Sequence, residues 1–284
     1  MPLRSTPTAR QERLGAELRK MREAAGVTAR DTAKLLGIDP AKVSHIEAGR
    51  LGISEERLRR LAAFYQCGDS ALIDALSAIT YEQRGQGWWE EYRGILPAPL
   101  RDLAEMEHHA AFLRAIQITH FPGLVQTEDY ARAIFGYSFP QLPQADLEAR
   151  LTHRMERQKI LLRDEPPPFE ALIHEAALRM KFGGRKVNLA QLQHLQELSE
   201  RPHITVRIIP FDAEDPIGSG HALHYTGGPV PQLDTVQIDT ALGIEFLHAE
   251  PRLRRCRMLF DAVRNAALDE AASQDLIRSV LREA

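Results

Sequence analysis

Short, mostly polar side chains recur at helical spacing in the stretch GIDPAKVSHIEAGR, residues 37–50. On a helix that begins at Pro40 they would form one stripe, at positions i, i+3, i+4 and i+7, with the ammonium group of Lys42 beside it. The stripe consists of Ala41, Ser44, His45 and Ala48. Its hydroxyl and imidazole groups can exchange hydrogen bonds with base edges, and alanine lets a helix backbone approach a surface closely. These residues suit the recognition of bases in the major groove of DNA.

Two branched aliphatic side chains, Val43 and Ile46, would point away from that stripe and therefore need an apolar core. Leucines at helical spacing in the flanking segments can supply this core. We expect the pair to pack against Leu14, Leu18, Leu35 and Leu61. The helix would then be dry on one side and polar on the other.

Helix-start and helix-stop residues divide residues 10–66 into four short helices. Left-handed glycines are expected to end the first three, at Gly26, Gly37 and Gly49. Capping side chains are expected to begin the last three, at Thr28, Asp39 and Ser54. Asp31 completes the cap of the second helix, and Pro40 suits the first position of the third. Two helices joined by a turn of three or four residues with glycine form the arrangement that enters the major groove.

Charge is distributed unevenly along the chain, although its formal net charge is only −3. Residues 1–66 hold 13 Lys and Arg against 8 Asp and Glu, which leaves 23 against 31 for the remainder of the chain's 36 and 39. The first quarter is therefore basic and the rest acidic. This pattern is typical of a polyanion-binding module attached to a domain with another role.

The string TARDTAKLLGIDPAKVSHIEAGR, residues 28–50, resembles the helix-turn-helix of phage-repressor and Cro-like regulators, the XRE group. The residues that carry the resemblance are Thr28, Ala33, Leu36, Gly37, Ile38, Val43, Ser44, Ile46, Glu47, Gly49 and Arg50. It implies a base-reading face made of Pro40, Ala41, Lys42, Ser44 and His45. It implies phosphate contacts by Thr28, Arg30, Lys34 and Arg50. The family often has glutamine where this chain has Ala29 and Pro40, so an adenine reader and a phosphate contact are missing.

Two alternatives remain open for this module. In the first it reads an operator in double-stranded DNA as a homodimer, with half-sites about 34 Å apart. In the second it is a small helical interaction module that no longer binds DNA. The first interpretation predicts a transcriptional regulator, either activator or repressor.

The length of 284 residues predicts two domains, since domains usually have roughly 100 to 200 residues. We expect a disordered tail over residues 1–9, a helix-turn-helix domain with a connector helix over residues 10–82, and a C-terminal domain over residues 83–284. The string GQG at residues 85–87 supports a break near residue 82. The predicted fold class is α+β and mostly helical, with an all-α first domain and a small mixed sheet in the second.

Periodicity in the second domain predicts helices and strands. The predicted helices cover residues 100–119, 143–162, 187–199, 251–267 and 273–282. The predicted strands are Phe169–His174, Ile204–Phe211, His221–Thr226 and Thr235–Ile238. A helix between the first two strands suggests one βαβ crossover, followed by a hairpin-like pair.

Several strings in the second domain resemble the C-terminal domain of actinomycete regulators, in which an XRE-type helix-turn-helix precedes a domain of unknown biochemical activity. They are WWEEY at 88–92, FPGLVQTEDYARA at 121–133, RQ at 157–158, HEAALR at 174–179, GG at 183–184, QLQHL at 191–195 and IPF at 209–211. The resemblance implies an antitoxin-like transcriptional regulator that is encoded beside a small partner protein. That family usually has aspartate where this chain has His174.

An aromatic cluster offers a second interpretation of the acidic domain. Trp88, Trp89 and Tyr92, with Tyr130, could line a pocket for a small-molecule effector or a partner. The commoner explanation for such a cluster is a core anchor at a domain junction. An enzymatic activity is a third and weaker alternative.

Metal-site and catalytic patterns are incomplete. Glu105, His108 and His109 lack the second copy that a carboxylate-bridged metal needs, HEAAL at 174–178 lacks the second histidine of H-E-x-x-H, and His221 and His224 lack a third ligand. No G-x-S-x-G, Walker or G-x-G-x-x-G motif follows a strand. We therefore expect no metal, no cofactor and no enzymatic activity.

Cysteine use and hydropathy predict the compartment. Cys67 and Cys256 stand 189 positions apart without a C-x-x-C partner, which indicates a reducing environment. The chain has neither a signal-like apolar region nor about 18 consecutive apolar residues, so no membrane association is expected. We expect a cytoplasmic protein that is nucleoid-associated when bound to DNA.

Overall fold

A computed structural model describes residues 7–81, 87–214, 222–240 and 243–283. The chain divides into two compact units, Met1–Glu91 with Ala98–Met106, and Tyr92–Pro97 with Glu107–Ala284. The predicted boundary at residue 82, the first six residues of the predicted tail and His221 lie outside the described residues. The predicted division into domains therefore stays a prediction.

The first unit is helical, and its helices begin and end where the capping residues predict. They are α1 Ala9–Ala24, α2 Ala29–Leu36, α3 Pro40–Glu47, α4 Glu55–Phe64 and α5 Ser70–Tyr81, and most of α6 Ala98–His108 belongs here as well. The side chains of Thr28, Asp39 and Ser54 each accept a backbone N–H of the helix that follows. The three helix-stop glycines have the left-handed φ values of 66°, 64° and 69°. The four helices predicted within residues 10–66 are confirmed.

Val43 and Ile46 lie in the core of this unit, with 2% and 5% of their surfaces exposed. Leu14, Leu18 and Leu61 are buried as predicted. The prediction for Leu35 is wrong, because this side chain is only partly buried. Leu36, one position further on, is buried on the same face of α2 as Thr32 and Ala33. Its spacing of four and three residues from them sets the helical phase.

Helices α1 and α3 approach each other closely because α1 carries a glycine at the point of contact. A Cβ atom added to Gly15 would lie 2.5 Å from the carbonyl oxygen of Glu47 and 2.6 Å from that of Ile46. A Cβ atom on Gly49 would lie 2.8 Å from backbone atoms of Gln11. The end of α3 is therefore seated directly on the backbone of α1.

The second unit contains a six-stranded mixed sheet. Its strands are β1 Phe112–Gln117, β2 Phe169–His174, β3 Ile204–Ile209, β4 Leu223–Gly227, β5 Thr235–Thr240 and β6 Gly243–Leu247. The spatial order is β3-β2-β1-β4-β5-β6. Strands β1, β2 and β3 are parallel, and β4, β5 and β6 are joined to β1 by antiparallel pairings. The predicted crossover between β2 and β3 and the predicted hairpin of β4 and β5 are confirmed.

The prediction of a helix over residues 100–119 is wrong after residue 108. Helix α6 ends at His108, and residues 112–117 form β1 in the middle of the sheet. The string FLRAIQ is apolar on both faces except for Arg114 and Gln117, so it lacks the simple alternation of a half-exposed strand. Strand β6 was also not predicted, because GIEFL is a short edge strand with mostly partly exposed residues.

Helices cover both faces of the sheet. They are α7 Glu128–Gly136, α8 Gln144–Gln158, α9 Glu175–Arg179, α10 Arg185–Ser199, α11 Glu250–Ala266 and α12 Glu270–Glu283. One apolar core joins Leu113, Ala171 and Ile208 of the sheet to α10 and α12. A second core on the opposite face joins Leu172, Tyr225 and other strand residues to α11. Four of these six helices confirm predicted ones, while α7 and the short α9 were not predicted.

No helix among the described residues is both long enough and apolar enough to span a lipid bilayer.

Candidate nucleic-acid interface

Helix α3 presents the predicted base-reading residues outside the core. Pro40, Ala41, Lys42 and Ser44 are exposed, and His45 is partly exposed. Asp39 caps the helix by accepting the N–H of Ala41 at 2.7 Å. The structure therefore brings these five residues onto one short helix whose other side is dry, and base reading by them stays a prediction.

The turn between α2 and α3 is short and fully hydrogen-bonded. Gly37 adopts φ 64° and ψ 37°, and the N–H of Ile38 bonds to the carbonyl oxygen of Ala33 at 3.0 Å. Asp39 then begins α3 without any intervening loop. This closed turn fixes the direction in which α3 leaves α2.

The predicted phosphate contacts lie on α2 and just after α3. Arg30, Lys34 and Arg50 are exposed. The hydroxyl of Thr28 donates to the carboxylate of Asp31 at 2.6 Å and accepts that residue's N–H at 3.2 Å. Because this side chain is engaged in the cap, the backbone N–H groups of the first turn of α2 are the donors that a phosphate would meet here.

A partly buried ion pair holds the end of α3. The Nε of Arg22 donates to Glu47 Oε1 at 2.6 Å, and its Nη2 donates to Oε2 at 3.0 Å. Its Nη1 also donates to the carbonyl oxygen of Val27 at 3.0 Å. The hydrogen bond with Glu47 raises the pKa of Arg22. This pair links α1, the following turn and α3, and the sequence indicated Glu47 only through the family resemblance.

The four residues of the predicted aromatic pocket are divided between the two units, and the pocket stays a prediction. Trp88 and Trp89 lie edge to face at 5.9 Å in the first unit. Tyr92 lies 5.0 Å from the ring of His153 in the second unit. Tyr130 is fully buried in the core of the second unit, where its ring contacts Phe121 at 5.2 Å. Tyr130 is thus a core residue rather than part of an exposed aromatic surface.

Three glutamine side chains hold the loop PGLVQT between β1 and α7. Gln126 donates to the carbonyl oxygen of Phe121 at 2.7 Å. Gln158 donates to the carbonyl oxygens of Gly123 and Gln126 at 2.9 and 2.7 Å. Gln191 donates to the carbonyl oxygen of Val125 and accepts the N–H of Thr127, both at 2.7 Å. Three of the strings that carry the second resemblance, at residues 121–133, 157–158 and 191–195, therefore meet in one hydrogen-bonded loop.

A buried ion pair accounts for the arginine of the RQ string. Arg157 donates to both carboxylate oxygens of Glu107 at 2.7 and 2.6 Å. His224 Nε2 lies 3.0 Å from the same carboxylate. Burial alone would raise the pKa of Glu107, but the Arg157 guanidinium outweighs it and lowers the pKa to about 2. Glu107 thus stays ionised inside the protein.

Among the described residues, no three side chains of His, Cys, Asp or Glu lie close enough together to hold a metal ion. The histidine of HEAAL has a structural role instead. His174 caps α9, because its Nδ1 accepts the N–H of Ala176 at 3.1 Å. Aspartate, which the resembling family usually has here, is a preferred residue for the same role. Burial lowers the pKa of His174, which favours the neutral form that can accept this bond.

Replacing Glu47 by glutamine should destabilise the first unit and weaken DNA binding evenly across sequences. The amide of glutamine has one acceptor oxygen where glutamate has two, so it accepts fewer of the N–H groups of Arg22. We expect the free energy of unfolding to fall by about 1.5 to 3 kcal/mol, typical of a hydrogen bond to a charged group. Urea unfolding and DNA titration measure the two effects. Asp74→Asn is the control within the same unit, since Asp74 makes an exposed pair with Arg59 and does not contact Arg22. Equal stability of the two variants would show that Glu47 does not hold α3.

Replacing His174 by alanine should cost about 1 kcal/mol near neutral pH, because the cap is lost, whereas His174→Asp should keep it. The folded pKa lies below the ordinary 6.5, so the neutral cap contributes fully above pH 6.5 and less as the pH falls. Urea unfolding at several pH values measures the gap in free energy of unfolding between the wild type and His174→Ala. A gap that stays constant or widens upon acidification would contradict the cap assignment.

Comparison with family models identifies both parts of the chain. A model described as a helix-turn-helix domain matches residues 13–76. A model described as a domain of unknown function (DUF5753) matches residues 100–279, more than half of the chain. No curated protein matches the chain, and no solved structure matches it. The helix-turn-helix domain indicates a DNA-binding regulator. The chain belongs to the family defined by the DUF5753 domain, here preceded by a helix-turn-helix domain.

Proposed function

We propose that this protein is a sequence-specific DNA-binding transcriptional regulator that inserts α3 into the major groove of an operator. The observation that carries the proposal is the division of α3 into two sides. Val43 and Ile46 are buried, while Ala41, Lys42 and Ser44 are exposed on a backbone with short side chains. Such a helix can lie deep in a groove without exposing apolar surface.

Exposed cations support the same orientation. Arg30, Lys34, Lys42 and Arg50 lie on α2, on α3 and directly after the glycine that follows α3. Within the described ranges, none of these four side chains has a carboxylate within 4.0 Å. Arg22 and Arg59, by contrast, are paired with Glu47 and Glu55. The four unpaired cations are therefore available to replace the counterions of DNA phosphates.

We propose that the protein binds DNA as a homodimer. Helix α3 has only eight residues, and its reading face has few long side chains. A single such helix contacts too few bases for a specific complex, whereas two helices spaced by about one turn of DNA, roughly 34 Å, double the contacts. We further propose that the regulator acts in the cytoplasm, on the nucleoid.

The second unit is proposed to bind a small protein encoded nearby, in the manner of an antitoxin. This proposal rests on the resemblance of the second unit to the C-terminal domain of the actinomycete regulators. We expect a small protein to co-purify with the tagged chain from its native host and to be absent when residues 107–283 are removed. Mass spectrometry of the eluate measures this outcome. Elution of the intact chain without any small protein would contradict the proposal.

Lys42→Ala should reduce discrimination between the operator and other sequences, because lysine can reach guanine acceptors. We expect the binding free energy for the operator to weaken by about 1 to 3 kcal/mol, with little change for duplexes of other sequence. Arg50→Ala should weaken all duplexes alike and lower the slope of log K against log salt by about 0.9. Titrations of fluorescent operator and scrambled duplexes at several salt concentrations measure both effects.

The matched control for these titrations is Lys159→Ala. Lys159 is an exposed lysine of the second unit, and its ammonium group pairs with Glu156. Its removal changes the net charge of the protein equally without touching the helix-turn-helix. If all three variants bound the operator with the same affinity and salt slope, α3 would not be the reading helix.

A further inference from the structure

Polar side chains converge on one face of the sheet where β1 meets β4. Ala115, His224 and Gln237 are direct neighbours across β1, β4 and β5, so they share this face. Two residues further along, Gln117 and Asp239 point to the same face at the ends of β1 and β5.

This place is also where the direction of the sheet changes. Strand β1 pairs in parallel with β2 on one side and antiparallel with β4 on the other. The chain leaves the carboxyl end of β1 toward α7 and α8, whereas among the described residues no helix lies between β3 and β4.

Two buried glutamines on this face have hydrogen-bonding capacity that the protein does not use. Gln117 and Gln237 are each 7% exposed, and among the described residues neither Oε1 atom has a hydrogen-bond partner. The orientation of Gln237 is fixed, because its Nε2 donates to Asp239 Oδ1 at 2.6 Å. Its oxygen therefore faces away from Asp239 as an acceptor. Because buried acceptors are almost always paired, we expect both oxygens to accept hydrogen bonds from a bound group.

Helix α8 supplies a cation beside the loop that follows the carboxyl end of β1, the end at which Gln117 lies. The guanidinium of Arg154 donates to the Gln126 side chain and lies 4.7 Å from the ring centre of Phe135. In the described part of the chain no carboxylate lies within 4.0 Å of it. Burial and the nearby Arg157 lower the pKa of Arg154 to about 9, which reflects a cation without a close counter-charge. An anionic group would satisfy it.

Gly123 makes room for this guanidinium. A Cβ atom added to Gly123 would lie 3.1 Å from the Cζ and Nη1 atoms of Arg154. Burial is the largest influence on the pKa of His120, which precedes this loop, and lowers it. The polar groups at this end of the sheet thus include a cation, a carboxylate and two amide oxygens.

We propose that this face of the sheet is a binding site for a small amino-acid-like ligand, whose carboxylate faces Arg154 and whose N–H donors face Gln117, Gln237 and Asp239. A free phosphate fits less well, because Asp239 and the two amide oxygens would face its negative charge. The site differs from the predicted aromatic pocket, and it is independent of the DNA-binding role of the first unit.

Binding is tested by calorimetry and thermal unfolding of the full-length protein with individual probes. The probes are the twenty common amino acids, succinate and inorganic phosphate. We expect at least one amino acid to bind saturably, one molecule per chain, and to raise the melting temperature. Arg154→Gln should weaken this binding by roughly thirty-fold or more, because the carboxylate of the bound ligand then has no cationic partner.

Gln237→Met keeps the size of the side chain without the acceptor, and we expect it to weaken binding too, which tests the site even if Arg154→Gln does not fold. Arg185→Gln and Gln193→Met are matched controls, because both residues are exposed on α10. Two outcomes overturn the proposal. In one, no amino acid binds, or affinity is unchanged in the folded site variants. In the other, phosphate or succinate binds as tightly as every amino acid, which would show that the donors play no part.

Discussion

The close approach of α1 and α3 at Gly15 is the constraint on which the first unit depends. Because no Cβ intervenes, the carbonyl oxygens of Ile46 and Glu47 contact the backbone of α1. The same contact buries Val43 and Ile46, and the Arg22–Glu47 pair closes it at its edge. Polar and apolar forces therefore fix the rotation of α3 about its axis. That rotation decides which side chains α3 presents, so an interior contact sets the exposed face.

Helix α8 plays a comparable part in the second unit. Within two turns it carries Arg154, Arg157 and Gln158, which point to three different partners. Arg157 neutralises the buried Glu107, and Gln158 holds the loop after β1. Among the described residues, Arg154 on the same helix contacts the neutral amide of Gln126 and the ring of Phe135 and has no carboxylate within 4.0 Å. Since the first two contacts fix the helix, the third side chain is held in place without a counter-charge of its own.

Local signals in the sequence were sufficient for the helix-turn-helix and insufficient for the centre of the sheet. Caps such as Asp39 and stops such as Gly37 act within a few residues, so the helices of the first unit could be predicted from neighbours alone. Strand β1 is defined by pairing with β2 and β4, which are more than fifty residues away along the chain. Its residues are buried on both faces, and a helix pattern fits them equally well.

The glutamines of the second unit show why the ligand site could not be predicted from sequence. Gln126, Gln191, Gln117 and Gln237 are all buried, the first two more deeply, and their side chains are chemically identical. The first two bond to backbone groups of one loop, whereas the amide oxygens of the other two have no partner in the described protein. The difference arises from three-dimensional placement at the end of β1 and in β5, opposite an arginine. A buried glutamine therefore indicates a structural role or a ligand contact only after its partners have been counted.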